Sequence, residues 1–252
     1  MLLLAASPAS GDSPADAAKA GRRSGYEFLT PPTQQLQNDE FANPGMLWVE
    51  AGKALWSQRE GATHKSCADC HDDAAKSMRA VATRYPAYSK EAGRVINLEQ
   101  RIDRCRTRRQ QASALVYESK EQLALTAFVS SQSRGLPTNV AIDGGAASSF
   151  ERGREFYVQR RGQLNLSCAN CHDQHVGAHL RGDTISQGQV NGFPIYRQLW
   201  QTLGSTHRMF AWCNEAVRAE PYAAGSQEYV DLELYVRWRG RGLPLETPAV
   251  RR

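Results

Sequence analysis

The sequence contains no apolar run approaching the ~20 residues that a membrane-crossing helix needs, and its 252 residues are therefore expected to fold in water. A Lys/Arg tract interleaved with aromatic residues is also missing. The net charge of +5 arises from scattered clusters, at Arg22-Arg23, Arg106 to Arg109, Arg160-Arg161 and Arg237 to Arg241. This pattern argues against nucleic acid as a partner and leaves small anions or an acidic protein. Met1 to Ala6 is apolar but has no basic flank and is too short for a complete export signal, so it reads as the remnant of one. Cysteine is sparse, with six residues. Four of them fall into two Cys-x-x-Cys-His segments, and Cys105 and Cys213 stand apart.

The sequence repeats itself. A shift of 101 residues places Glu50, Gly52, Gln58, Arg59, Gly61, Ser66, Cys67, Ala68, Cys70, His71 and Asp72 on Glu151, Gly153, Gln159, Arg160, Gly162, Ser167, Cys168, Ala169, Cys171, His172 and Asp173 without a gap. Later, a shift of 107 places Arg134-Gly135-Leu136-Pro137 on Arg241-Gly242-Leu243-Pro244, with Glu121 on Glu228. The chain reads as a tandem duplication with a few residues inserted in the second copy.

Each copy is expected to begin and end in a helix. Trp48, Ala51, Gly52 and Leu55, and then Phe150, Gly153, Arg154 and Tyr157, recur at helical spacing, each set with a glycine that lets a second helix approach closely. Asn43-Pro44 is a candidate cap and first-turn pair for the earlier helix. The closing segments place Leu123 and Ala127 against Val230 and Leu234, and each ends at Gly-Leu-Pro. Residues 1–43, rich in Ala, Ser, Pro, Gln and Gly, lack periodicity and are expected to form an irregular extension wrapping a domain or a partner.

The chemistry starts at Cys67-Ala68-Asp69-Cys70-His71 and Cys168-Ala169-Asn170-Cys171-His172. Two thiols three residues apart can reach both vinyl groups of one porphyrin while the adjacent imidazole ligates its iron. Neither a redox Cys-x-x-Cys nor a zinc knuckle requires the same segment at equivalent places in two repeats. The fold class is therefore mainly α: two tandem cytochrome c-like domains at 44–140 and 145–252 related by internal duplication, preceded by the irregular extension. Two covalently bound c-type haems are expected, attached through Cys67, Cys70, Cys168 and Cys171 and ligated by His71 and His172. Haem attachment of this kind takes place outside the cytoplasm, which points to a periplasmic location.

A sixth iron ligand used in both copies should recur at a comparable place. Cys105 and Cys213 do so, 34 and 41 residues after their haem histidines. Met78 follows His71 too closely, Met209 has no methionine counterpart, and His64, His175, His179 and His207 lack matched partners. A pair of buried thiols or a Cys105–Cys213 disulfide remains the competing reading. An axial thiolate would stabilise ferric iron and suit sulfur chemistry better than generic electron shuttling. A plain dihaem electron-transfer protein and a dihaem peroxidase with an open or His/Met-ligated iron stand as the other function classes.

The two Cys-x-x-Cys-His repeats, a cysteine after each, and the stretch Cys213-Asn214-Glu215-Ala216-Val217-Arg218-Ala219-Glu220-Pro221-Tyr222 together resemble the dihaem SoxA subunits of SoxAX cytochromes, over roughly residues 30 to 250. The resemblance implies an L-cysteine S-thiosulfotransferase that joins thiosulfate to a cysteine thiol of a SoxYZ-type carrier protein, with electrons leaving through haem to a cytochrome c acceptor. It implies a SoxX-like monohaem cytochrome c subunit as partner. It also implies that Cys213, often a persulfide in the family, is the reactive centre, bracketing the second iron with His172, and that Cys105 and His71 ligate the first. Thiosulfate is a dianion, and Arg208 and Arg218 are the nearest basic residues in sequence to Cys213. The approach to this cysteine is richer in basic residues in relatives. Here Met209, Phe210, Ala211 and Trp212 intervene.

Overall fold

The computed structural model describes residues 20–252, so the apolar run at Met1 to Ala6 lies outside the described residues. Both pairs of expected terminal helices form. In the first half α2 (Met46–Ser57) packs on α6 (Lys120–Ser131), and in the second α7 (Ala147–Val158) packs on α10 (Gln227–Arg239). The glycines decide both crossings. A Cβ on Gly52 would collide with the carbonyl of Ala124, and one on Gly153 with the carbonyl of Asp231, so each helix lies directly on the backbone of its neighbour. Ser119 and Ser226 start the closing helices by accepting from the N–H groups of Gln122 and Tyr229.

Between these helices the halves repeat one another element by element. A short helix holds each Cys-x-x-Cys-His segment, α3 (Ala68–His71) and α8 (Cys168–His172), and α4 (Ala74–Ser77) follows the first. The antiparallel hairpin β1–β2 (Ala87–Ser89, Arg94–Ile96) pairs Ala87 with Ile96, and β5–β6 (Ile195–Arg197, Thr202–Gly204) pairs Ile195 with Gly204. The register is the same at a shift of 108. Asn97 and Ser205 then cap α5 (Leu98–Cys105) and α9 (Thr206–Ala216). The shift grows from 101 to 108 because the second half is longer between Asp173 and Phe193, where the small hairpin β3–β4 (His179–Leu180, Asp183–Thr184) sits. It falls to 107 after the lone cysteines, because Arg106–Gln110 form a π-helical turn. One extra residue absorbed in a helix is what such a turn accommodates.

Asn43 and Pro44 lie just ahead of α2 rather than at its cap and first turn. Gly45 takes the cap position, and Asn43 instead accepts from the Gly45 N–H at 2.9 Å and donates to the carbonyl of Pro248 at 2.9 Å. The N-terminal extension contains a regular stretch, α1 (Pro31–Asn38), begun by paired prolines whose fixed φ suits a first turn. It wraps the second half: Gln37 accepts from the backbone N–H of Val250 at 3.0 Å and from Arg251 at 2.7 Å. Val250 lies in β7 (Ala249–Arg251), which completes a three-stranded sheet by pairing parallel to β5.

The interiors of the halves are joined. Tyr196, Leu203 and Leu245 belong to the cluster built on Val49, Trp56, Leu123 and Phe128, while Val95 packs with Phe150, Val230 and Leu234. The two Arg-Gly-Leu-Pro elements pair with each other: Gly135 donates to Leu245, Leu245 to Leu136, Thr138 to Leu243 and Gly242 to Thr138, at 2.8–2.9 Å. A polar layer also crosses the boundary. His207 accepts the Gly225 N–H on Nδ1 at 2.9 Å, so its proton sits on Nε2, 3.1 Å from Glu233, which also accepts from Asn97. No helix among the described residues is long and apolar enough to cross a membrane.

Two outcomes follow from this packing. Gly153→Ala should destabilise the protein by about 3 kcal/mol, since a carbonyl cannot move aside as a side-chain tip can; chemical denaturation followed by circular dichroism measures it. Burial and the neighbouring Glu233 push the Glu99 carboxyl up to about 8. The folded state therefore holds a proton that the unfolded chain releases, and stability falls as pH rises from the ordinary carboxylate range towards 8. Glu99→Gln should remove that decline, leaving the variant more stable than the parent at pH 8.5 and little changed at pH 5 by calorimetry.

Candidate functional site

Each Cys-x-x-Cys-His segment is launched by the same local device. After the opening helix the chain makes a tight loop whose glycine, Gly61 or Gly162, has φ near +67° and presses on the backbone that follows the distant lone cysteine. Gly61 meets the carbonyl of Gln110, and Gly162 that of Val217; the neighbouring hydrogen bonds run from Ala62 to Gln111 and from Gln163 to Arg218. A reciprocal cap then starts the short helix. The Ser66 N–H donates to Asp69 at 2.8 Å, and the Ser167 N–H to Asn170 at 2.9 Å. The residue after each histidine is tied to the opening helix, by Trp56 Nε1 donating to the Asp72 carbonyl at 3.3 Å and by the Tyr157 hydroxyl donating to Asp173 at 2.9 Å.

The lone cysteines come back to these segments. Cys105 lies close enough to Cys67 for their charges to interact, and Cys213 stands in the same relation to both Cys168 and Cys171. No disulfide joins any of the six cysteines, and Cys105 and Cys213 each belong to a different segment, which contradicts a Cys105–Cys213 disulfide. Burial pushes Cys67 and Cys168 up to about 11 and Cys213 up to about 12. Burial also lowers both histidines, keeping the imidazoles neutral as metal ligation requires.

The histidines differ in their supports. The His172 Nδ1 lies 2.8 Å from the Ser186 carbonyl, so this nitrogen carries the proton and Nε2 keeps its lone pair for a metal. Gly188, at φ +69°, lets the 186–188 loop close on the ring, where a Cβ would lie 2.8 Å from His172 Cγ. His71 rests against Trp56, with ring centroids 5.8 Å apart. The donor set of two thiols, a neutral imidazole and a further sulfur suits a covalently bound c-type haem. Among the described residues no three His, Cys, Asp or Glu side chains converge tightly enough for a bare ion, as a zinc knuckle would require.

The other sequence candidates for the axial ligand have other partners. Met78 is in the apolar core, Met209 accepts from Arg197 at 3.5 Å, His207 is in the polar layer, and His175 bonds the Asn170 carbonyl. His64 and His179 lie on exposed positions.

The structure does not bring Arg208 or Arg218 to the Cys213 sulfur. Five residues before Cys213 on one helix, Arg208 points roughly 140° away and stacks on Trp200 at 4.5 Å. Arg218 is exposed, and its left-handed backbone (φ +57°) forms the turn that clasps Gly162. The cation held against the turn that carries Cys213 is Arg197, on β5, which bonds Met209 at 3.5 Å. Its guanidinium is 4.1 Å from the Trp212 ring and 5.3 Å from Trp200, and it donates to the Arg252 carbonyl at 2.9 Å. Sequence proximity missed it because it approaches from a strand. The available signal was the repeat itself, in which Arg197 falls on Ser89 at the same shift of 108 that relates the cysteines.

Comparisons with known proteins identify the family. A family model described as SoxA/TsdA, cytochrome c domain, matches residues 51–138. The chain is 48% identical over 232 residues, 91% of this chain and 80% of the relative, to the L-cysteine S-thiosulfotransferase subunit SoxA of Rhodovulum sulfidophilum. It is 45% identical over 229 residues, 90% of this chain and 80% of the relative, to the protein of the same name from Pseudaminobacter salicylatoxidans. The solved structure of SoxXA from P. pantotrophus matches with a TM-score of 0.89 at 37% identity, covering 96% of this chain and 92% of that one.

Gly188→Ala should push the His172 ring off its seat. The expected result is a high-spin component in the ferric absorption spectrum of the haem-loaded protein that the parent lacks.

Proposed function

Because the chain belongs to the SoxA family of L-cysteine S-thiosulfotransferase subunits, we propose that it couples thiosulfate oxidatively to a cysteine thiol of a SoxYZ-type carrier protein, with Cys213 as the reactive centre. The observation that carries this reading is that α9 sets the half-buried Cys213 near the Cys168–Cys171 pair, with the guanidinium of Arg197 held on the same turn by Met209 at 3.5 Å and Trp212 at 4.1 Å. The reaction joins two reduced sulfurs. Thiosulfate and a carrier thiol give the carrier S-thiosulfonate, one proton and two electrons, so charge balances at minus two on each side. Each segment carries the full donor set, and this supports two haems: one anchored by Cys67 and Cys70 between His71 and Cys105, the other by Cys168 and Cys171 between His172 and Cys213. When bound, the haems supply the electron sink, and a cytochrome c acceptor drains it.

The chain's own residues do the rest. Ser186 fixes the imidazole tautomer of His172 through its carbonyl, and Gly188 holds the ring against the loop. Cys213 is half-buried, and the low exposure of Arg197 strengthens the interaction of its guanidinium with a charged sulfur nearby. Mature chains of this kind acquire haem outside the cytoplasm, so the site of action is the periplasm. A SoxX-like monohaem subunit is the partner, in keeping with the SoxXA architecture of the P. pantotrophus protein.

Replacing Cys213 by Ser should abolish thiosulfate-dependent turnover with a thiol carrier while intact-mass spectrometry still shows two haems. The parent's ferric EPR spectrum should carry the compressed g-tensor of low-spin thiolate-ligated haem. Undiminished turnover of the Ser variant, or His/Met signatures from both haems, would leave only an electron carrier.

A further inference from the structure

The coupling reaction brings like charges together. Thiosulfate is a dianion, and a haem-ligating thiolate at position 213 would carry charge of the same sign, in a half-buried place where an unpaired charge is costly. Arg197, 5% exposed, reaches the turn of α9 that carries Cys213: it bonds Met209 one turn before the cysteine at 3.5 Å and lies 4.1 Å from the ring of Trp212 beside it. Three bonds fix it in place: Nε to the Arg252 carbonyl at 2.9 Å, Nη1 to Met209 Sδ at 3.5 Å and Nη2 to Asp183 at 3.4 Å. A guanidinium has five N–H groups, so two are left over. Asp183 divides its carboxylate between Arg197 and Arg252, the latter at 3.4 Å.

The repeat supplies an independent comparison. At the shift of 108 that carries Cys105 onto Cys213, Arg197 replaces Ser89, Trp200 replaces Ala92, Met209 replaces Arg101 and Trp212 replaces Arg104. Every member of the cage around Arg197 is therefore particular to the second half. A residue needed only to hold the hairpin and helix together would be expected in both, since both hairpins have the same register. Indole faces also suit this task, because they attract a cation without donating an anion that would neutralise it.

We propose that Arg197 is a positioning residue for sulfur coupling, a fixed cation between Trp200 and Trp212 that stabilises the negative charge gathered at the Cys213 sulfur when thiosulfate arrives. This rests on the assignment of Cys213 as the reactive centre. Arg197 gives up no proton and carries no electron; it acts through the sulfur, and thiosulfate is selected by its charge.

The test uses the haem-loaded protein with its cytochrome partner. Arg197→Met should lower kcat for thiosulfate-dependent turnover at least tenfold, leave KM for the thiol carrier within twofold, and shift the ferric EPR g-values that Cys213→Ser abolishes. Arg197→Lys, which keeps the charge, should recover at least a third of kcat and the parental g-values. If Arg197→Met turned over within twofold of the parent with unshifted g-values while Cys213→Ser was inactive, the role of Arg197 would be overturned and the coupling reading would stand. Turnover by Cys213→Ser would overturn both. Should Arg197→Met fail to accumulate, Arg197→Lys and Arg197→Gln decide: a fivefold or greater advantage of Lys supports the charge, and equal activity overturns it.

Discussion

Both sulfur sites depend on helices that lie directly on backbone, with no side chain between. Gly52 and Gly153 set the opening helices against the closing ones, and Gly61 and Gly162 then press the following loops onto the turns after Cys105 and Cys213. These two contacts in each half fix the start of the cysteine segment relative to the distant cysteine, although 38 or 45 residues separate Cys67 from Cys105 and Cys168 from Cys213 in the chain. The precision needed to face two sulfur groups across a cofactor thus comes from main chain packed on main chain, the least yielding material in a protein.

Two buried polar groupings show how differently the fold treats charge. In the layer between the halves, Glu233 receives His207 and Asn97, and its carboxylate is held below its ordinary range despite burial. Glu99 beside it has no comparable partner set and is pushed the other way. At Cys213 burial likewise pushes the thiol up, and Arg197 works against it. Satisfied networks give rigidity, whereas the sulfur has no comparable set of partners.

Much of this was legible in the sequence because the repeat tied spacing to geometry. The four long helices, the two haem-type segments and the recurrence of Cys105 and Cys213 all follow from residues whose partners are fixed by local period or by matching copies. Arg208 and Arg218 are near Cys213 in sequence, but nearness says nothing about the direction of a side chain: one stacks on Trp200 and the other is a turn residue. Arg197 escaped notice because it arrives from a strand 16 residues upstream of Cys213. Helix α1 was hidden for another reason. Its sequence, Pro-Pro-Thr-Gln-Gln-Leu-Gln-Asn, has no apolar period of its own, and its helicity is secured by docking on β7.

That docking joins the two ends of the chain. Asn43 holds Pro248, and Gln37 holds Val250 and Arg251, across more than two hundred residues of intervening sequence. Contacts of such long range cannot form until the last strand has been delivered, and topology makes them slow. The molecule consequently resembles a clasped bracelet: both cysteine segments pass through an open chain before the clasp shuts, which is the order in which a bulky group could be threaded and stitched into each one.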